Sequence, residues 1–575
     1  MTVTDKSSVA HESDEVFDAL ILGAGFGGMH MLHQLRADDF SVIALEAGET
    51  VGGAWYWNRY PGARCDIESL VYCYSFSPII DEEWTWSERY ATQPEILRYM
   101  NFVCDRLDLR KDIRFDSRVT SAKFDEATAM WTFKTEKGDI YRARHFVSAA
   151  GPISAPIWPD IPGRDTFKGE IYHTALWPRE EPDFAGKRVG VIGTGSSGTQ
   201  TIPIVAETAG HVNVYVRTPG FYANANHRQL TDADRAWWDE HKERIRTRLR
   251  KSEIVGSGDV FMDDEMLATR SVPSTQFTKE QRREILEKRW EFGGATMPRA
   301  FSDILTNREF NQEVCQFLEN KISGIIADPA TAEIMTPRNM YFGTKRICVG
   351  TNFYETFNRP NVSAYAVKET PIERFTEKGI VVGGAEHELD AIICASGFDA
   401  LTGALTAIEI TGTGGQTIKG AWAKGADTYL GFGAAGFPNL HMIGGPGSPS
   451  VLVNVVMANE YQVGWISDLL KHMRDEGYTR VDVDPAAQER WTDEVNGVIQ
   501  GTVFTSADSW YVGANVPGKA RRILAYAGGI VDYTRACDAA VSNGYEGLSF
   551  SGPSRAQQEK SAPIPQLAES TKTVG

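Results

Sequence analysis

Two rhythms of apolar and polar positions run through the chain. In the first, short continuous apolar runs alternate with helical spacing: "FDALIL" (17–22), "FSVIALEAG", "GKRVGVIG", "VNVYVRTP", "HFVSAAGP" (145–152) and "LDAIICASGFD" (389–399). Continuous runs of this length predict strands buried on both faces, and strand–helix alternation predicts parallel sheets and an α/β fold. The second rhythm occupies residues 225–335, where "TDADRAWWDEHKERIRTRLRK", "TKEQRREILEKRW" and "TNREFNQEVCQFLENKI" read as helices. Thr278 with Gln281 and Thr306 with Glu309 fit capping boxes. Phe310, Val314, Phe317, Leu318 and Ile322 recur at helical spacing and predict one buried stripe. The ends, residues 1–14 and 552–575, are rich in small and polar residues and are expected to be disordered.

Glycines punctuate the strand–helix pattern twice. The first strand runs into Gly23, Gly25 and Gly28 in the spacing GxGxxG, and the next strand ends at Glu46. Such glycines allow a tight turn, backbone approach to a pyrophosphate and close helix–strand packing, while an acid at that distance accepts from a ribose diol. The second copy, Gly193, Gly195 and Gly198, is followed by a strand ending in Arg217 and Thr218. An acid there would repel a 2′-phosphate and a guanidinium binds one, so this site is expected to take NADPH rather than NADH. Two dinucleotide folds in one chain point to a flavoprotein reduced by a nicotinamide, with FAD at the first site. Segments 145–152 and 389–399 are each an apolar strand ending in a small-small-Gly turn that brings backbone close to a cofactor, and the second follows the NADPH portion, so the FAD fold is expected to be discontinuous. The expected organisation is 15–152 and 389–551 for FAD, 153–224 and 336–388 for NADPH, and 225–335 as a helical insertion.

Composition narrows the classes further. A chain of 575 residues suggests two to four folded units. Its net charge of -17 argues against a nucleic-acid partner. Seven cysteines without a CxxC give no zinc ribbon and no redox dithiol, and no His/Cys spacing suggests a metal. There is no apolar leader and no 18-residue apolar run, so a cytoplasmic protein without a membrane span is expected, with a monomer as the default.

Several motifs carry a resemblance that spans residues 15 to 550. "FKGEIYHTALWP" contains Phe167, Gly169, His173 and Trp177 as FxGxxxHxxxW, just before the second glycine turn. "GGAWYWNRYPGARCD" supplies Gly52, Gly53, Trp55, Tyr60, Pro61, Gly62 and Asp66, and "GTKRICVGTNFYETFNRPNV", "GPGSPS" and "SWYVGANVPGK" follow. Together these resemble the type I Baeyer–Villiger monooxygenases. The resemblance implies an FAD- and NADPH-dependent enzyme that uses O2, through an oxygen adduct at flavin C4a, to insert one oxygen atom beside a ketone carbonyl. It implies that Arg346 is the catalytic cation and Asp66 its partner carboxylate. Trp55, Asp66 and Tyr72 would lie at the cofactors, and Lys345 would join Arg217 and Thr218 at the 2′-phosphate. His173 would hold the linker between domains rather than touch substrate. Trp510 and Asn515 would belong to a mobile loop over NADP+, and Ser450, Val451 and Leu452 to the ketone pocket.

Three other readings compete. An N- or S-oxygenating flavin monooxygenase would not need Arg346 beside Asp66. A flavin disulfide reductase would need the missing CxxC. A non-catalytic nucleotide sensor would have little use for Asp66, Arg346 and a capping loop in phase.

Overall fold

A computed structural model describes residues 12–251 and 260–552. Its frame is two sheets joined by the linker around His173. The first sheet has eight strands, in the order Glu409–Thr411, Val119–Asp125, Met130–Thr135, Ile140–Ser148, Glu12–Leu22, Val42–Leu45 and Ile113–Arg114, with Leu440–Met442 added beside Ile140–Ser148. The strands flanking Glu12–Leu22 pair with it in parallel, as its apolar run predicts. Val119–Asp125, Met130–Thr135 and Ile140–Ser148 form an antiparallel meander that the alternation did not predict. Short turns such as the one at Ala129, which has positive φ, permit antiparallel neighbours without a crossover helix.

The second sheet has five strands, all parallel: Val362–Ala366, His211–Val216, Arg188–Ile192, Ala391–Cys394 and Glu170–His173. Ala391–Cys394 was expected to return the chain to the first fold. It lies instead between Arg188–Ile192 and Glu170–His173, so the boundary expected at 389 belongs after Cys394. All four residues of that strand are buried, and a fully apolar strand carries no mark of which sheet it joins.

The first strand begins at Glu12, inside the segment expected to be disordered, and pairs there with Ile140. The rest of the expected disorder, residues 1–11 and 553–575, lies outside the described residues. The C-terminal part closes the first fold. Helix Val455–Glu476 packs on helix Phe26–Ala37, and a Cβ on Gly27 would come within 2.9 Å of Ile443 and 3.3 Å of Asn459.

Residues 225–335 carry helices Asp232–Arg250, Asp264–Ala268, Lys279–Phe292, Arg308–Ile325 and Pro329–Met335. The capping box of Thr278 and Gln281 is present, with bonds in both directions. The one expected at Thr306 is not. Asn307 caps that helix, its side chain accepting from the Phe310 N–H at 3.2 Å. Asn is the stronger cap and sits one residue nearer the first apolar position. The stripe from Phe310 to Ile322 is buried as predicted. Among the described residues, no helix is long and apolar enough to cross a membrane.

Candidate functional site

Both glycine turns form the N-termini of helices, Phe26–Ala37 and Ser196–Thr208. Gly23 has φ +100, and a Cβ there would lie 2.7 Å from the Ala149 carbonyl oxygen, so only glycine makes this turn. Gly28 and Gly198 let their helices lie against Gly23 and Gly193, where a Cβ would stand 1.9 and 2.2 Å from the carbonyl oxygens. Neither helix has a side-chain cap or an acid in its first turn. Their first N–H groups and positive dipole ends are therefore available to an anion. A Cβ on Gly25 would lie 3.5 Å from the Gly53 Cα, and a Cβ on Gly195 would meet nothing within 4 Å. These residues fit two dinucleotides.

Glu46 ends its strand buried. One carboxylate oxygen accepts from the Ala24 N–H and the other from the Gly48 N–H, each at 2.7 Å. Burial raises its pKa, and the two backbone bonds oppose that shift. Glu46 thus shapes the first glycine turn, a role that the motif spacing alone did not show. On the second fold, Arg217 and Thr218 are exposed at the end of strand His211–Val216. Lys345 is half-buried, and its ammonium pKa is lowered first by burial and next by the Arg217 charge. The structure therefore brings Lys345 into the electrostatic reach of Arg217.

Asp66 and Arg346 meet across 280 positions of sequence. The Arg346 Nε–H donates to Asp66 Oδ2 at 2.7 Å and Nη2–H to Oδ1 at 2.8 Å, a two-point pair. Its Nη1–H donates to the Val451 carbonyl at 2.9 Å. Those bonds use three of a guanidinium's five N–H groups and leave two for another oxygen. The Asp66 charge, outweighing the cost of burial, raises the Arg346 pKa well above its ordinary value, so this cation persists at any working pH. The buried Tyr511 phenol lies beside it, pushed up to about 12 by burial and held back by the Arg346 charge.

Each partner is placed by its own element. Arg346 precedes strand Cys348–Gly350, which pairs with Tyr222–Asn224. The loop carrying Asp66 is pinned by the Cys65 N–H to the Ala91 carbonyl at 3.1 Å and by the Ser69 N–H to the Arg89 carbonyl at 2.8 Å. It is also clasped to helix Ser196–Thr208. The Tyr60 hydroxyl donates to Gln200 Oε1 at 2.9 Å, and Gln200 Nε2 donates to the Arg64 carbonyl at 3.0 Å. Gly62, at φ +79, lies where a Cβ would be 2.4 Å from the Gln200 carbonyl oxygen. Gln200 had no signal in the sequence, because its partners are 136 and 140 positions away.

The remaining expected residues separate by position. Trp55 Nε1–H donates to the Tyr72 hydroxyl at 3.1 Å, so these two meet on the first fold near Gly53. His173 is buried, accepting from the Ala175 N–H at 3.0 Å on Nδ1, with Nε2 3.1 Å from the Ile157 carbonyl and 3.2 Å from the Ser396 hydroxyl. Burial lowers its pKa, so it is a neutral tie between the linker and the second sheet. Phe167 and Trp177 are buried in neighbouring clusters, and a Cβ on Gly169 would meet the Asp390 carbonyl oxygen at 2.4 Å. The loop from Trp510 is docked: the Asn515 side-chain amide donates to the Phe398 carbonyl at 2.8 Å, and Lys519 pairs with Asp399. Of the three residues expected in the ketone pocket, Ser450 and Leu452 are buried and Val451 is partly open, its carbonyl being the one that holds Arg346.

Comparison with known proteins adds three relatives. A family model described as pyridine nucleotide-disulphide oxidoreductase matches residues 20–244. Acetone monooxygenase (methyl acetate-forming) of Gordonia sp. strain TY-5 is 37% identical over 542 residues, 94% of this chain and 100% of that protein. Phenazine N-monooxygenase of Lysobacter antibioticus is 38% identical over 536 residues, 92% of this chain and 96% of that one. A solved structure of an oxidized steroid monooxygenase bound to NADP is 43% identical, covering 93% of this chain and 99% of its own with a TM-score of 0.87.

Proposed function

The chain belongs to the Baeyer–Villiger monooxygenase family, and from that premise we propose that Arg346, oriented by Asp66, is the cation at which it oxygenates a ketone to an ester or lactone. The protein is an FAD- and NADPH-dependent monooxygenase. When bound, FAD reduced by NADPH supplies oxygen activated from O2. The observation that carries the residue assignment is the Arg346 guanidinium, held at three N–H groups with two left over.

The chain's own residues divide the work as follows. The turns at Gly25 and Gly195 hold pyrophosphates at helix N-termini. Arg217, Thr218 and Lys345 select the 2′-phosphate. Asp66 keeps Arg346 in place, and the two spare N–H groups stabilise negative charge that develops on the ketone oxygen. Such donors aid the transition state more than the ground state because the charge is largest there. Tyr511, beside Arg346 on the docked loop and packed against Trp510, helps to exclude water from that cation. Ser450, Val451 and Leu452 set the outline of the ketone pocket through the segment that anchors Arg346. All seven cysteines are unpaired and six are buried, which supports a reducing compartment such as the cytoplasm.

The test is product analysis with the FAD-loaded protein, NADPH, O2 and a panel of linear, cyclic and aromatic ketones. Wild type is expected to give esters or lactones. Arg346→Ala is expected to be reduced by NADPH and to give none; ester from Arg346→Ala at near wild-type rate overturns the assignment. One observation favours a second reading. The phenazine N-monooxygenase matches this chain as well as the acetone enzyme does. N-oxide from a heteroaromatic amine, with no ester from any ketone, would establish that reading instead.

A further inference from the structure

Asp66 and Arg346 are joined a second time, through a series of backbone pairings. Residues 63–69, which carry Asp66, run antiparallel beside residues 87–93. The Gln93 N–H donates to the Ala63 carbonyl at 2.9 Å, the Cys65 N–H to Ala91 at 3.1 Å and the Ser69 N–H to Arg89 at 2.8 Å. Segment 87–93 also meets the start of the helical insertion. The Arg89 N–H donates to the Arg228 carbonyl at 2.9 Å, the Leu230 N–H donates to Ser87 at 2.8 Å, and Glu88 bridges Gln229. A few residues earlier, Tyr222–Asn224 pairs with Cys348–Gly350, the strand that follows Arg346. These segments form a ring, from 63–69 through 87–93 and 222–230 to 346–350, and the Asp66–Arg346 pair closes it. We infer that Arg89, paired with Glu68, is a positioning residue for the oxygenation, holding this ring at one size and so setting where Arg346 meets Asp66. The inference rests on the Arg346 assignment given above.

Arg89 touches more of the ring than its backbone does. Its Nε–H donates to Glu68 Oε1 at 2.6 Å, two residues from Asp66, and its Nη1–H donates to the Phe292 carbonyl at 3.3 Å, at the end of helix Lys279–Phe292. The guanidinium also lies 4.6 Å from the centre of the Phe292 ring. The other Glu68 oxygen accepts from the Val260 N–H, so the pair grips the insertion at two places besides its start. Arg89 is 6% exposed and Glu68 1%. Desolvation offsets most of the attraction in so buried a pair, which therefore adds little net stability over apolar residues of the same volume. What it does supply is direction: a planar fork meets a carboxylate and a carbonyl at fixed angles, which a lysine cannot do. Geometry matters here because a displacement of about 1 Å between reacting groups can cost about 100-fold in rate.

The experiment compares FAD-loaded wild type with Arg89→Lys, which keeps the charge beside Glu68 and loses the fork, and with Phe292→Leu, which removes the ring and keeps both charges. Two quantities are read: amide hydrogen exchange by mass spectrometry, and ester formed per NADPH consumed with a ketone present. Arg89→Lys is expected to speed exchange in residues 63–69 and 222–230 together, because both flank the same brace. Its flavin should be reduced by NADPH within about twofold of wild type, while ester per NADPH falls by about tenfold. The missing ester should appear as hydrogen peroxide, the two electrons of NADPH passing to O2 alone. Phe292→Leu should change both quantities in the same direction and by less, and it serves alone if Arg89→Lys does not fold. Faster exchange in one segment only, or a lowered melting temperature with ester per NADPH unchanged, would overturn the positioning role and leave Arg346 where it stands. Ester from Arg346→Ala at near wild-type rate would overturn the assignment on which the inference rests.

Discussion

Replacing Asp66 with Asn removes the charge that holds Arg346 while keeping its volume. The native pair has two bonds, at 2.7 and 2.8 Å. Unit charges at about 4 Å attract by about 4 kcal/mol at an effective dielectric of about 20. The side chains keep 27% and 21% of their exposure, so solvent screening reduces that figure. A loss of about 2–3 kcal/mol remains, or about 30- to 150-fold in rate. Asn also turns an N–H group toward the guanidinium in one of its two orientations, leaving the Val451 carbonyl as the one undisturbed anchor. The expected outcome is a drop of about 100-fold in kcat/KM for the ketone, read by gas chromatography of the ester. Because Asp66 raises the Arg346 pKa from a value already high, the variant's guanidinium stays charged. Its defect should thus be the same from about pH 6 to about pH 9. Ester formation within about threefold of wild type, or rescue of Asp66→Asn by acid, would refute the argument that charge-assisted orientation of Arg346 limits the reaction.

Gly195→Ala is expected to leave the melting temperature within about 1 °C, since its Cβ meets nothing within 4 Å, yet to weaken NADP+ binding by about tenfold or more. Equal binding in a thermal-shift titration would remove Gly195 from the pyrophosphate site. Gly62→Ala must strain a φ of +79 and push on Gln200, and is expected to cost about 2 kcal/mol or more and to lower ester formation as Asp66 shifts; a variant as stable as wild type in urea would contradict it. His441 and His145 share a buried contact at 3.2 Å, and burial lowers both pKa values, His441 from 6.5 to about 4. The unfolded chain binds protons first, so stability is present above about pH 6.5 and is lost as pH falls toward about 4, by about 3 kcal/mol. His441→Gln should flatten that slope in melting curves; an unchanged slope would assign acid sensitivity elsewhere.

What the sequence disclosed follows from the range of the interactions concerned. The glycine turns were legible because turn, close approach and helix start lie within six residues. The insertion's helices were legible because their period is local, although the capping residue was misplaced by one position between Thr306 and Asn307. Sheet membership was harder. Ala391–Cys394 is apolar at every position, and its assignment depends on partners roughly 200 residues upstream. The Arg346–Asp66 pair could not come from spacing; the resemblance brought the two residues forward and the structure shows their contact. Gln200 stayed hidden because its significance lies in a contact between a helix and a distant loop.

Strand Ile140–Ser148 has a divided neighbour on one edge. Its first half pairs with Met130–Thr135, and Phe146–Ser148 pair with Leu440–Met442. The two ends of that second pairing are far apart in time as well as in sequence. His145 and His441 are separated by 296 positions, which a ribosome making about 5–20 residues per second needs about 15–60 seconds to cover. Through that interval Phe146 and Val147 present an apolar strand edge with unpaired backbone groups, the kind of surface that recruits other chains. The first fold is thus begun before the second and finished after it, and nascent chains halted before residue 440 are the ones for which a chaperone is most needed.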